Sequence, residues 1–317
     1  MKEIGGFFGL ELSGRKQLHG EAVALNSGRN CLRQIVHNRA IKRILAPYYT
    51  SNSVIDAIQA EGGEILFYRI NKDFSPILEG HPNDYLLYIN YFGINSKNIV
   101  TLLDSHPKLI VDNAQAFYSQ PILELDTFYS PRKFFGVPDG GYFYSSIKWD
   151  EDALETDISY ARSEHLLKRI DLTANAAFNG FRLAEESLKG APIKKMSNLT
   201  RALLGSVPYE EVRTRRLENF AYLHQTLGKY NELFISPGVD DVPMVYPFLT
   251  KMETLRARLI DRSIYVATYW PDIHDRIPAG SWEAYLVSNL IPLAIDQRYG
   301  KEEMDATLAV IMDVLQV

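Results

Sequence analysis

The chain has 317 residues, of which 46% are hydrophobic and 23% charged, with a formal net charge of -5. This composition is ordinary for a soluble globular protein, and the length suits one large domain with a smaller one. The small negative charge disfavours nucleic acid as a partner, and no stretch approaches the roughly 18 apolar residues that would cross a membrane.

The cysteine and histidine residues indicate the cellular compartment and whether a metal site is expected. Cys31 is the only cysteine, so no disulfide forms within the chain and we expect a cytoplasmic protein. Its apolar neighbours recur at helical spacing, which predicts a small core residue. The histidines are scattered singly and no zinc, P-loop or nucleophile-elbow motif occurs, so we expect no metal site.

Short apolar runs that predict strands alternate with helical patterns through the first half of the chain. Strands are predicted over 41–47, 64–70, 84–93, 108–115 and 140–146, and helices over 51–63 and 95–106. This alternation predicts an α/β fold with a mainly parallel sheet covered by helices on both faces. Ligands of such sheets bind at the carboxyl ends of the strands.

Longer helical patterns dominate from about residue 152. The predicted elements are helices over 181–190 and 209–233, a strand over 244–250, a helix followed by a strand within 254–270, and a closing helix over 302–315. The three arginines of RTRRLENF, which begins at Arg213, predict a solvated basic helix face. We therefore predict a large α/β domain of residues 1–195 and a small α+β domain of residues 196–317.

Three motifs stand where ligand-binding groups are expected. Ser27 and Gly28 precede a helical pattern; a glycine at a helix start lets the backbone approach a phosphate, although a plain N-cap gives the same pattern. Asp112 is the first charged residue after an apolar strand, which suits a ligand-facing acid or a turn aspartate. Lys133 lies in FYSPRKFFGVPDGG, either as a poised amine or as a surface lysine packed on aromatic rings.

Together the three motifs match the needs of pyridoxal phosphate. A lysine forms the Schiff base with the cofactor, an acid pairs with the pyridine nitrogen, and a helix start holds the phosphate. An apolar setting lowers the pKa of a lysine and favours the neutral, reactive amine.

The chain also resembles fold-type I pyridoxal-phosphate enzymes, and among them the DegT/StrS-type sugar aminotransferases. The family's lysine segment reads approximately S-F-H-P-[ST]-K-x-x-x-x-G-E-G-G, which resembles residues 129–133 followed by Asp139-Gly140-Gly141. Its acid strand resembles VDNAQAF, which contains Asp112, and its S-G-T turn corresponds to residues 27–29. The ending NLIPLAIDQRYG is similar as well, so the resemblance spans nearly the whole chain.

The resemblance implies a fold-type I architecture and a set of site residues. Lys133 and Asp112 would be catalytic, Gln115 would lie beside the phenolic oxygen of the cofactor, Tyr49 would stack on its ring, and Asn179 would reach the partner subunit's cofactor. The implied cofactor-binding residues are Ser27, Gly28, Arg29, Tyr49, Asp112, Gln115, Ser130, Lys133 and Asn179.

Two positions depart from the family pattern. Phe128 stands where the family has a phosphate-binding serine, and Arg29 stands where it has a threonine. We expect Ser130 or Thr127 to replace the missing hydroxyl.

The activity implied by the resemblance is that of a homodimeric aminotransferase. It would transfer an amino group from an amino acid donor such as glutamate to a keto sugar, which the resemblance implies to be nucleotide-linked. Two alternatives stay open: a pyridoxal-phosphate lyase or dehydratase acting on a sugar or amino acid, and a protein of this fold that acts as a sensor or partner without turnover.

Overall fold

The computed structural model describes residues 4–80, 83–122, 124–147, 149 and 151–316, and its centre is an eight-stranded sheet. The strands are β1 (Val23–Leu25), β2 (Arg43–Pro47), β3 (Glu64–Ile70), β4 (Pro76–Ile77), β5 (Tyr85–Ile89), β6 (Leu109–Asp112), β7 (Asp126–Tyr129) and β8 (Gly141–Tyr144). Their order is β1-β8-β7-β6-β5-β2-β3-β4. The five strands from β7 to β3 in this order run parallel, whereas β1, β8 and β4 pair antiparallel.

Helices surround this sheet, and a second, two-stranded antiparallel sheet follows later in the chain. The helices are α1 (Gly28–Asn38), α2 (Asn52–Ala60), α3 (Lys97–Ser105), α4 (Glu164–Asp171), α5 (Ala174–Leu188), α6 (Asn198–Leu204), α7 (Tyr209–Leu227), α8 (Leu255–Asp261), α9 (Trp282–Asn289) and α10 (Lys301–Leu315). The strands of the second sheet are β9 (Tyr246–Leu249) and β10 (Leu290–Leu293).

Both faces of the central strands are buried. Ile44 and Ile110 pack with the apolar residues of α1 and α2, whereas their neighbours Leu45 and Val111 pack with α3, α7 and α9 on the opposite face. Successive residues of a strand point to opposite sides, so two covered faces require the continuous apolar runs seen in the sequence. The predicted mainly parallel sheet between helices is confirmed.

Two sequence predictions are wrong. The second part of 254–270 is not a strand: residues 264–270 form no ladder, and Trp270 has a left-handed backbone with φ of 51°, which ends any extended conformation. The face of α7 that carries Arg216 is not solvated, because Arg216 is 1% exposed. Its spacing of four residues from Val212 and from Phe220 places it on the buried side. The domain boundary at residue 195 stays a prediction.

Candidate active site

A cavity of about 510 Å³ lies where the carboxyl ends of β6 and β7 meet the start of α1. The structure brings seven of the predicted cofactor-binding residues to its wall: Ser27, Gly28, Arg29, Asp112, Gln115, Ser130 and Lys133. Side chains that follow neighbouring parallel strands meet at one sheet edge, which explains how residues distant in sequence converge here.

The turn of Ser27 and Gly28 has both properties that the sequence suggested. The Ser27 backbone is extended, and its hydroxyl accepts a hydrogen bond from the Asn30 N–H at 3.1 Å, so Ser27 is a true N-cap of α1. Gly28 is the first helical residue and borders the cavity. Because the first N–H groups of a helix lack intrahelical acceptors, this end of α1 is suited to an anion.

Gly140 and Gly141, which follow the lysine segment, pack directly against that turn. A Cβ atom on Gly141 would lie 2.4 Å from the Ser27 carbonyl carbon and 2.5 Å from the Gly28 nitrogen, so only glycine fits there. Gly140 has φ of 118° and donates its N–H to the Asn26 carbonyl at 2.9 Å. Gly140 and Gly141 therefore set the distance between the anion-binding turn and β8.

Asp139, the acid of the same motif, is buried and points away from the cavity. It accepts hydrogen bonds from the Ser197 N–H at 3.1 Å and the Ser197 hydroxyl at 2.9 Å, and from the Thr200 hydroxyl. Burial raises the pKa of Asp139, and these hydrogen bonds oppose that shift. The acid thus holds the start of α6, which is a structural role.

The replacement of serine by Phe128 alters the anion-binding corner. Phe128 is 3% exposed, and its ring carbon Cδ2 lies 3.9 Å from the position of a Cβ on Gly28. Its phenyl ring lies beside the turn but has no hydroxyl to donate to a phosphate. Ser130 lies on the same side of the chain two residues later, with its Cβ only 3.4 Å from that position. Ser130 is therefore the hydroxyl closest to the turn on this segment.

Arg29 contributes a cation to the same corner. Its Nη1 donates to the Leu188 carbonyl at 2.8 Å and its Nη2 to the Ser53 hydroxyl at 2.8 Å. Its buried Nε has no partner among the described residues. Burial lowers the pKa of Arg29, and Asp56 and Glu185 act in the opposite direction. A buried donor without an acceptor next to a helix start is what a bound anion would satisfy.

Asp112 and Lys133 both line the cavity and attract each other electrostatically. Asp112 ends β6, is 5% exposed, and accepts the Ala114 N–H at 2.8 Å. Lys133 ends the short turn after β7; it lines the cavity and is exposed to solvent there. Desolvation by the surrounding protein lowers the pKa of Lys133 and raises that of Asp112, and the attraction between the two groups opposes both shifts. The cavity therefore favours a neutral amine at Lys133 more than water does.

Gln115 lies in the turn after β6 and is 2% exposed. Its Oε1 accepts the Phe92 N–H at 2.7 Å, and Phe92 has a left-handed backbone with φ of 59°. The carbonyl end of Gln115 is thus engaged, which fixes the orientation of its amide at the cavity wall.

Tyr49 and Asn179 do not reach this cavity within one chain. Tyr49 is fully buried, with its ring centroid 4.5 Å from that of Trp270, and Trp270 lines the cavity instead. Asn179 lies on the exposed side of α5. The roles expected for these two residues stay predictions.

Sequence reasoning missed several residues of the cavity wall. These are the aromatic residues Tyr265, Tyr269 and Trp270 and the charged residues Arg132, Glu185, Arg216 and Asp296. The guanidinium of Arg132 pairs with Glu185 beside the lysine. The sequence signals the aromatic wall only through the run YVATYW of residues 265–270, and the composition of this run predicts a strand.

Other classes of site find no support in the described ranges. These residues contain no group of three His, Cys, Asp or Glu side chains arranged for a metal ion, and Cys31 is a buried free thiol. None of the described helices is long and apolar enough to cross a membrane.

Comparisons with known proteins agree with this architecture. No protein-family model matches the chain, and a search of curated proteins found no match. Among solved structures, the sugar aminotransferase CalS13 from Micromonospora echinospora is similar with a TM-score of 0.61 and 12% identity, over 93% of this chain and 87% of that chain. A DegT DnrJ EryC1 StrS aminotransferase from Brucella abortus has a TM-score of 0.61 and 13% identity, over 92% and 85%.

NtdA from Bacillus subtilis, solved with bound cofactor PMP, has a TM-score of 0.64 and 16% identity, over 93% of this chain and 73% of that chain. Similarity at such low identity establishes a shared fold. The chain therefore has the fold of these proteins, and the predicted fold-type I architecture is confirmed.

Proposed function

We propose that this chain is a pyridoxal-phosphate-dependent aminotransferase. One observation carries the proposal: a helix start suited to an anion, a buried strand-end carboxylate and a lysine face the same cavity. The three groups are far apart in sequence and come together only through the fold. The fold shared with aminotransferases, one of them solved with PMP, supports the same assignment.

The residues of the cavity fit this cofactor. Ser27, Gly28 and Ser130 border the anion-binding corner, and the unpartnered Nε of Arg29 adds a cationic donor for the phosphate. Asp112 is the carboxylate suited to the pyridine nitrogen, because a buried acid holds a proton on that nitrogen by charge attraction.

The chemistry follows from the groups that the chain itself provides. When bound, pyridoxal phosphate supplies an electron sink for the carbon whose bond to hydrogen is broken. Lys133 would anchor the cofactor, and its neutral Nζ would take the proton from the substrate carbon and return it at a second position. Asp112 would keep the ring nitrogen protonated. The aromatic residues Tyr265, Tyr269 and Trp270 line the cavity and would contact the bound ligands.

The proposed substrates are an amino acid donor, glutamate, and a keto sugar, which is nucleotide-linked in the case implied by the resemblance. The test is a half-reaction. Stoichiometric pyridoxal phosphate is bound, glutamate is added without an acceptor, and the products are measured by absorbance and mass spectrometry. Aminotransferase activity predicts pyridoxamine phosphate and 2-oxoglutarate in equal amounts. Release of ammonia with unchanged pyridoxal phosphate would indicate a lyase, and no reaction with a panel of amino acids would contradict turnover by transamination.

A homodimer is the proposed assembly, and the support comes from an apolar surface on α4 and α5. On this surface Ile170 is 82% exposed, Phe178 is 62% exposed and Leu167 is 56% exposed. Exposed apolar patches of this kind mark interaction sites. A second groove of about 1050 Å³ runs along these helices, and the residues that it shares with the first cavity are Arg132, Lys133, Glu185, Arg216 and Asp296. A second copy on this surface would close that side of the site.

The dimer proposal is tested by Phe178→Glu, with Phe234→Glu as the matched control. Phe234 is 92% exposed and belongs to neither cavity. Light scattering after gel filtration should show a dimer for the unchanged protein and the control, and a monomer for Phe178→Glu. A dimer that survives the change at Phe178 would place the interface elsewhere.

A further inference from the structure

Arg216 is the largest side chain that is fully buried in the described part of the chain, and it borders the cavity. Its hydrogen-bond acceptors are all backbone carbonyls: Met244 at 2.9 Å, Pro243 at 3.4 Å and Phe134 at 3.4 Å. Its buried Nε has no partner among the described residues. Burial lowers the pKa of Arg216 to about 10. An arginine kept in such a costly position has a role that a solvated arginine does not have.

The carbonyl of Phe134 connects Arg216 to the lysine. Phe134 directly follows Lys133, and its carbonyl also accepts a hydrogen bond from the Gln297 Nε2 at 2.9 Å. In addition, the guanidinium carbon of Arg216 lies 4.5 Å above the centroid of the Phe134 ring. Two side chains from the second half of the chain therefore hold one peptide unit on the carboxyl side of the lysine.

The turn that carries Lys133 is held by hydrogen bonds within its own segment. The Lys133 N–H donates to the Ser130 carbonyl at 3.3 Å, and the Phe134 N–H donates to the Pro131 carbonyl at 2.9 Å. These local bonds fix the shape of the turn, but they do not fix its distance from α7 or from the segment that follows β10. Arg216 and Gln297 add hydrogen bonds to that restraint, beside the packing of Phe135 on Tyr209 of α7.

We propose that Arg216 and Gln297 are positioning residues that hold the Phe134 carbonyl and thereby aim the Lys133 amine at the aldehyde of the cofactor. The inference rests on the proposed function, and it adds residues to which neither motif nor resemblance assigned a role. Attack by an amine requires the reacting atoms to be held at contact distance and aligned. Neither residue needs to touch the cofactor for this role.

The test separates covalent attachment from simple binding. The variants are Gln297→Ala, Arg216→Lys and Arg216→Met, with Arg215→Met and Gln225→Ala as controls. Arg215 lies next to Arg216 on α7 but is half exposed and paired with Glu218 at 3.6 Å. The controls therefore remove the same chemical groups from solvated positions of one helix.

Three quantities are measured on each protein: the rate of attachment of pyridoxal phosphate to Lys133, trapped with borohydride and located by peptide mass; the Kd of pyridoxamine phosphate, which binds without a covalent bond; and the melting temperature of the protein without cofactor. The attachment rate should fall about tenfold or more in Gln297→Ala and Arg216→Met, while the Kd changes less than about threefold. Arg216→Lys should recover part of the rate.

Different outcomes overturn different statements. If both variants attach pyridoxal phosphate as fast as the controls, the positioning role is wrong and the proposed function stands. If the attachment rate and the melting temperature fall and the Kd rises in parallel, the two residues only stabilise the fold. If Arg216→Met does not fold, Gln297→Ala decides, because it removes one donor and leaves Arg216 in place. Absence of any adduct in the unchanged protein would overturn the proposed function together with this inference.

Discussion

Gly141→Ala tests whether the glycine pair after the lysine sets the position of the anion-binding turn. The added Cβ would lie 2.4 Å from the Ser27 carbonyl carbon and 2.5 Å from the Gly28 nitrogen. Non-bonded carbon atoms rest about 3.5 Å apart, so β8 and the turn must separate by about 1 Å. Both sides of the contact are backbone, and no side-chain rotation can relieve it.

The expected effect has two parts. Overpacking of this kind lowers the free energy of unfolding by about 1–3 kcal/mol. A shift of about 1 Å at a binding turn can change function by about a hundredfold, so the affinity for pyridoxal phosphate should fall by up to about that factor. Pyridoxal, which lacks the phosphate, should lose much less affinity than pyridoxal phosphate.

The assays are urea unfolding of the protein without cofactor and fluorescence titration with the two ligands. Gly14→Ala is the matched control, because a Cβ at Gly14 meets no atom within 4 Å. An unchanged unfolding free energy and an unchanged affinity in Gly141→Ala would refute the reasoning, since the steric conflict would then be absent.

Three further predictions concern separate parts of the molecule. Arg29→Met should weaken pyridoxal phosphate about tenfold and pyridoxal less than about twofold, because only the phosphate gains a charged hydrogen bond; equal losses in titrations with both ligands would contradict this. Asp139→Ala should lower the unfolding free energy by about 1–3 kcal/mol, because the buried donors of Ser197 and Thr200 lose their acceptor; urea unfolding measures it, and an unchanged midpoint would count against it. Burial lowers the pKa of His19 from 6.5 to about 4. Between pH 6.5 and 4 the unfolded chain therefore binds a proton at His19 that the folded protein does not bind, and the free energy of unfolding falls by up to about 3 kcal/mol. Above pH 6.5 both states are neutral at His19 and the free energy of unfolding does not depend on it. His19→Gln should flatten the pH dependence of the unfolding free energy in that window, and equal slopes in both proteins would rule the explanation out.

The sequence predicted the central sheet well because its signals are local. Apolar runs such as the one in β2, followed by the capped pattern of α2, identify their elements without knowledge of the rest of the chain. The strand-end position of Asp112 and the helix-start position of Gly28 follow from the same patterns. Because β1 is antiparallel to β8 and β8 is antiparallel to β7, the carboxyl ends of β1, β6 and β7 lie at the same edge of the sheet and bring both residues there.

The sequence could not predict features that depend on contacts between distant segments. Arg216 follows two other basic residues and resembles part of a solvated face, yet its acceptors come from residues 134, 243 and 244. The run that ends at Trp270 has the composition of a strand, but no neighbouring strand accepts it and a left-handed residue ends it. Tyr49 packs against Trp270, and Trp270 rather than Tyr49 lines the cavity.

The most direct test of the central claim is the site of covalent attachment. The purified protein is incubated with pyridoxal phosphate, reduced with borohydride, digested and analysed by peptide mass, beside Lys133→Ala treated in the same way. The account predicts a visible absorbance band before reduction and one stoichiometric adduct, on Lys133, with neither in the variant. An adduct on another lysine, or a band that survives in Lys133→Ala, would contradict it.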